Sequence, residues 1–125
     1  MGGMSAASVI RDFCQAISRQ DVKEILGFFT EDAVYHNIPL DPVQGKAAIE
    51  ATLRLFLDPK GKAEFEVRAL AASGSTVLTE RIDRFMFGGK QVELPVMGAF
   101  EVTPQGKISA WRDYFDMAQV TKQIS

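Results

Sequence analysis

Five polar residues of this chain fall among apolar neighbours: Tyr35, Asn37, Arg81, Asp83 and Asp113. Residues 75–87 read as one long strand, whose alternation sends Val77, Thr79, Arg81, Asp83, Phe85 and Phe87 to a common face. In the last strand the same rule puts Asp113 between Trp111 and Phe115, and in an early strand it puts Tyr35 beside Asn37. Burying a charge is costly unless it is paired and hydrogen-bonded, so charges on three oily faces need a reason. One reason is a structural ion pair, or faces that are solvated after all. The other is chemistry. The planar fork of an arginine holds two carboxylates in fixed geometry. Two carboxyls close together in an apolar pocket push each other's pKa values apart, so one stays protonated while the other is ionised. That is a general acid and a general base in one site, and a phenol and an amide nearby can orient a water for the base. Such a set suits addition of water to a small polarised electrophile.

Composition narrows the field. At 125 residues the chain is expected to form one domain over 1–125. Its 46% hydrophobic and 24% charged content is that of an ordinary soluble globular protein. A net charge of −2 gives no electrostatic case for nucleic acid or an anionic membrane. No apolar run approaches the roughly 20 residues that span a bilayer, and no secretory signal is visible, so a cytoplasmic protein is the expectation. Residues 1–4 read as a disordered or vector-derived leader. Cys14 is the only cysteine and sits among apolar residues of a helix, so buried core is its expected role. His36 is the only histidine, which excludes a multi-histidine metal site and leaves any Ser–His–Asp arrangement dependent on it. Alternation turns His36 away from Tyr35 and Asn37, towards a surface or packing role.

The elements that must carry these residues follow from periodicity. Val9, Ile10, Phe13 and Ile17 make an amphipathic helix over 5–18, capped by Ser5 or Ser8. Asp21 and Glu24 read as a capping-box variant opening a second helix that runs to about Thr30. A strand follows over 33–38, then a loop punctuated by Pro39, Pro42 and Gly45, then a third helix over 46–57. From Ala63 the chain reads as a meander: strands over 63–71, 75–87, 91–102 and 107–116, with Gly88–Gly89 as a two-residue hairpin. A short helix over 117–124 ends the chain. Helices first and strands afterwards indicate α+β: a strongly curved mixed sheet with the N-terminal helices packed on one face, enclosing a cone-shaped pocket. Its expected wall is Leu53, Phe56 and Leu57 from the third helix, with Phe85, Leu94, Val96, Gly98, Phe100 and Phe115 from the strands. Glu80, Arg84 and Arg112 fall on the opposite faces, as surface or interface charges.

Three segments resemble the limonene epoxide hydrolase family, a branch of the nuclear-transport-factor-like and steroid-isomerase-like fold group. They are Tyr35–His36–Asn37–Ile38–Pro39–Leu40, Leu78–Thr79–Glu80–Arg81–Ile82–Asp83, and Ile108–Ser109–Ala110–Trp111–Arg112–Asp113–Tyr114–Phe115–Asp116. The resemblance implies one-step hydrolysis of a small apolar or cyclic epoxide to a vicinal diol. By that analogy Asp113 is the base, Tyr35 and Asn37 hold the water, Asp83 is the acid and Arg81 bridges the aspartates. It implies no cofactor and no metal, an apolar pocket, and a homodimer whose partners beyond itself are only epoxide and water. An isomerase or cyclase on the same fold, or a small-ligand-binding protein without catalysis, are the alternative readings.

Overall fold

The computed structural model describes residues 5–125; the expected leader, residues 1–4, lies outside them. Helix α1 (Ala6–Arg19) starts where Ser5 Oγ accepts from the backbone N–H of Ser8, and it buries Val9, Ile10, Phe13, Cys14, Ala16 and Ile17. Helix α2 (Val22–Leu26) is capped by Asp21, whose carboxylate accepts from the N–H of Glu24. It is shorter than the sequence suggests. Strand β1 (Phe29–Asn37) begins already at Phe29, because that residue pairs in parallel with Ile108 and its ring packs edge-on against Phe13. The short β2 (Val43–Gln44), expected as loop, pairs antiparallel with β1. Helix α3 (Lys46–Leu53) ends four residues before its expected stop. There the chain tightens into turns in which Leu55 and Phe56 donate to the carbonyls three residues back.

The meander is as expected: β3 (Glu64–Ser73), β4 (Thr76–Phe87), β5 (Lys90–Val102) and β6 (Ile108–Tyr114). Gly88 and Gly89 close the β4–β5 hairpin at φ 61° and 77°, left-handed values that fit the twist of the flanking strands. Strand β6 stops at Tyr114, earlier than the sequence suggests, since Asp116 turns out of the sheet to cap α4 (Met117–Ile124). The described residues form a curved, open six-stranded sheet in the order β2-β1-β6-β5-β4-β3, antiparallel except for β1 with β6. This is the α+β architecture expected. No described helix is long and apolar enough to cross a membrane.

Two apolar clusters share one face of β5. Phe100 and Val102 join α1, β1 and Trp111 in the larger cluster, while Val92, Leu94 and Val96 join Val120 of α4 in the smaller. At the seam between them β4 presents Thr79, Arg81 and Asp83, all buried.

Candidate active site

The seam is built from cross-strand rows. Strand register sets Tyr35, Trp111 and Phe100 side by side in one row, and Asn37, Asp113, Gly98 and Thr79 in the next. One pleat further along, Arg81 lies beside Val96 and Asp83 beside Leu94. Arg81 reaches back across the second row through the space over Gly98. A Cβ on Gly98 would collide with Arg81 Nη1 and stand 2.8 Å from Asp113 Oδ1, so the side chain is absent because the guanidinium needs the room.

Arg81 is 0% exposed, Asp83 4% and Asp113 3%. Arg81 Nε donates to Asp83 Oδ1 at 2.9 Å and Nη2 to Asp83 Oδ2 at 2.7 Å. The same guanidinium donates from Nη2 to Asp113 Oδ2 at 2.8 Å, and from Nη1 to Asp113 Oδ1 and Thr79 Oγ1, each at 3.2 Å. Its carbon lies 4.5 Å from the centroid of Phe65, so an aromatic face covers the side the carboxylates leave open. Every donor of the fork has work. Burial opposes the arginine's charge, yet Asp113 and Asp83 together push its pKa well above the usual value. Burial raises the Asp83 carboxyl to about 6, with Arg81 pulling it down and Asp113 adding to the rise. Burial also pushes the Tyr35 phenol well up, and the Asp113 charge acts in the same sense. Tyr35 therefore stays a neutral donor and acceptor at any physiological pH.

Tyr35, Asn37, Asp83 and Asp113 line one cavity of about 140 Å³, with Arg81 bonded behind them. The five polar residues singled out in the sequence thus come together. Phe56, Phe85, Leu94, Val96 and Phe115 also line it, as expected. Leu53 and Leu57 do not: Leu53, the last residue of α3, and Leu57, in the turns that follow it, are both buried in the larger core cluster, and Thr52 and Leu55 line the cavity in their place. Phe100 is likewise core, and Gly98 lies under Arg81. Phe65, Phe87, Met117 and Val120 complete the wall. For Val120 the signal was the amphipathic period of α4; for Phe65 it was alternation along β3. Leu40 and Leu55 are 54% and 63% exposed and form an apolar rim at the mouth.

His36 is outside this set. Its Nε2 donates to the Leu40 carbonyl at 2.9 Å, a carbonyl being able only to accept, and so it holds the loop after β1. Cys14 is buried in α1, where burial pushes its thiol up to about 12, far from a reactive thiolate. Among the described residues no three His, Cys, Asp or Glu side chains are grouped to hold a metal ion. On the outer face Arg84 pairs with Glu64, Glu66 and Glu93, and Arg112 with Glu101.

Comparison with known proteins finds relatives in sequence and a wider set that shares the fold. The family model for the limonene-1,2-epoxide hydrolase catalytic domain matches residues 4–125. The chain is 33% identical over 117 residues to epoxide hydrolase EphG of Mycobacterium tuberculosis, covering 92% of this chain and 76% of that protein. The structure of an M. tuberculosis LEH-like epoxide hydrolase superposes with TM-score 0.77 at 31% identity, over 95% of this chain and 88% of the other. A putative polyketide cyclase from Xanthomonas campestris shares the fold at TM-score 0.81 and 19% identity, over 96% of both chains. SalBIII, an epoxide hydrolase/cyclase-like enzyme with a role in pyran ring formation in the polyether salinomycin, shares it at TM-score 0.82 and 21% identity, over 91% and 92%.

Proposed function

The chain belongs to the limonene-1,2-epoxide hydrolase family, and we propose that it adds water to a small apolar or cyclic epoxide in one step, giving a vicinal diol. The ionised Asp113 takes a proton from a water held by Tyr35 and Asn37. The water oxygen bonds to an epoxide carbon as that carbon's bond to the ring oxygen breaks. Asp83, protonated, gives its proton to the departing oxygen. The diol carries both oxygens, and the site is left with a proton on Asp113 and a charge on Asp83. Arg81 donates to both carboxyls, so it stabilises the negative charge in either place while the proton returns. Water and two carboxyls account for every atom and proton, and no cofactor enters the scheme.

The observation that carries this reading is one guanidinium bonded to two buried aspartates at the wall of an apolar cavity. Burial raises the Asp83 carboxyl to about 6, which favours its protonated form and so the role of general acid. A single turnover of a small cyclic epoxide with enzyme in excess, in ¹⁸O-labelled water, tests it. Label in the first diol is expected. Unlabelled diol would mean that a carboxylate attacks carbon, and the scheme would be wrong. Asp113→Asn and Asp83→Asn are each expected to lower kcat by about 10²–10⁴-fold with the fold retained by circular dichroism. We also propose that the protein is cytoplasmic and that it forms a homodimer, the latter supported by Leu78, Met97 and Tyr114, which are exposed on the outer face of the sheet.

A further inference from the structure

Asp113 and Asp83 share Arg81 but are not held alike. Among the described residues Asp83 accepts only from Arg81, once on each oxygen. Asp113 has one donor more: the indole N–H of Trp111 meets its Oδ1 at 2.7 Å, shorter than the 3.2 Å from Arg81 Nη1 to the same oxygen. A carboxylate oxygen has two lone pairs in its plane. On Asp113 Oδ1 both are occupied. Oδ2 accepts from Arg81 Nη2 and from no other described residue, so one of its lone pairs can serve a water.

The indole is itself immobilised. It stacks on the Tyr35 ring with centroids 3.9 Å apart and planes 6° from parallel, with Phe100 on a further side at 5.9 Å and Phe13 edge-on at 5.0 Å. Trp111 is fully buried. Its nitrogen is therefore fixed in position, and the ring that fixes it belongs to Tyr35, which the mechanism above uses to hold water.

We propose that Trp111 is a positioning residue: by filling Asp113 Oδ1 it leaves Oδ2 as the only oxygen of that carboxylate free to take the proton from water, and it registers Tyr35 against that oxygen. The inference rests on the reading of Asp113 as base. It also gives a reason, beyond Arg81, for negative charge to settle on Asp113 and the proton on Asp83, since the extra donor has no counterpart at Asp83.

Trp111 is the only tryptophan in the chain, so its indole gives a single ¹H–¹⁵N resonance that needs no assignment by mutation. In the wild-type protein that resonance is expected downfield and slow to exchange, and Asp113→Asn is expected to move it upfield while Asp83→Asn moves it less. A resonance indifferent to Asp113→Asn would overturn the inference. Trp111→Phe removes the donor but also empties core space, so the second variant carries 3-benzothienylalanine at position 111, which keeps the ring and replaces only the N–H by sulfur. With a small cyclic epoxide its kcat is expected to fall about 10–100-fold, with KM changed little. An unchanged kcat, or a loss wholly in KM, would overturn the positioning role. A wild type inactive on every epoxide while its indole still answers to Asp113→Asn would instead sink the assignment of Asp113 as base, and the inference with it.

Discussion

Arg81 has no donor to spare, and that makes the arrangement sensitive to the shape of the cation as much as to its charge. Lysine would keep the charge but offer a compact ammonium in place of the fork. Arg81→Lys is expected to lose about 1.5–3 kcal/mol of stability, read from urea midpoints, and most of the activity, because one or both carboxyls lose their fixed geometry. The Asp83 carboxyl sets the alkaline side. As an acid it must be protonated, and burial raises it to about 6, so kcat/KM on a small epoxide is expected to fall as pH rises through about 6. The same shift bears on stability. The native state keeps a proton on Asp83 that the unfolded chain has already released, so its stabilising contribution is complete below about 4 and is lost as pH rises through about 6. Asp83→Asn is expected to flatten that part of the stability–pH curve, measured by chemical denaturation between about pH 4 and about pH 7.

Strand β5 positions the charges by what it omits. Leu94, Val96 and Phe100 fill the concave face with side chains, and Gly98 between them leaves the space Arg81 crosses. In Gly98→Ala the added methyl meets Arg81 Nη1, Asp113 Oδ1 and Thr79 Oγ1 together. None of the three can retreat without losing a buried bond. The expected result is about 1–3 kcal/mol of destabilisation and a large fall in kcat, checked by thermal denaturation beside steady-state kinetics. Far from the cavity, α1 depends on its cap. Ser5→Ala removes the acceptor for Ser8 N–H and is expected to cost about 1 kcal/mol of stability with kcat unaltered. The two variants separate elements that shape the site from elements that only support the sheet.

The sheet has a second face. Its concave side takes the helices and the cavity, and its outer side shows Leu78, Met97 and Tyr114 at about half exposure among paired charges such as Arg112 and Glu101. A patch of this kind on the central strands fits a second copy of the chain. Met97→Arg is expected to shift the sedimentation coefficient from dimer to monomer while leaving Arg81, Asp83 and Asp113 in place. A wild type that sediments as a monomer would remove the homodimer from the proposal.

Alternation with a period of two is local to the backbone. The sequence by itself therefore determined that Arg81 and Asp83 share a face with apolar residues, that Asp113 lies between Trp111 and Phe115, and that Tyr35 pairs with Asn37 while His36 turns away. The meander, its Gly88–Gly89 turn and the cap at Asp21 were legible for the same reason, being written in neighbouring residues, whereas the first cap was narrowed only to Ser5 or Ser8 and is Ser5. What lay beyond it was non-local. Which side of α3 and of the turns after it meets the core depends on packing against distant strands, and that placed Leu53 and Leu57 in the core and Thr52 and Leu55 at the cavity. The start of β1 at Phe29 depends on a partner at Ile108 in the last strand. That parallel pairing sets Asn37 beside Asp113 and Tyr35 on Trp111. Only the tertiary structure decided which atoms meet, because strand register and side-chain rotamers are fixed by contacts between segments far apart in the chain.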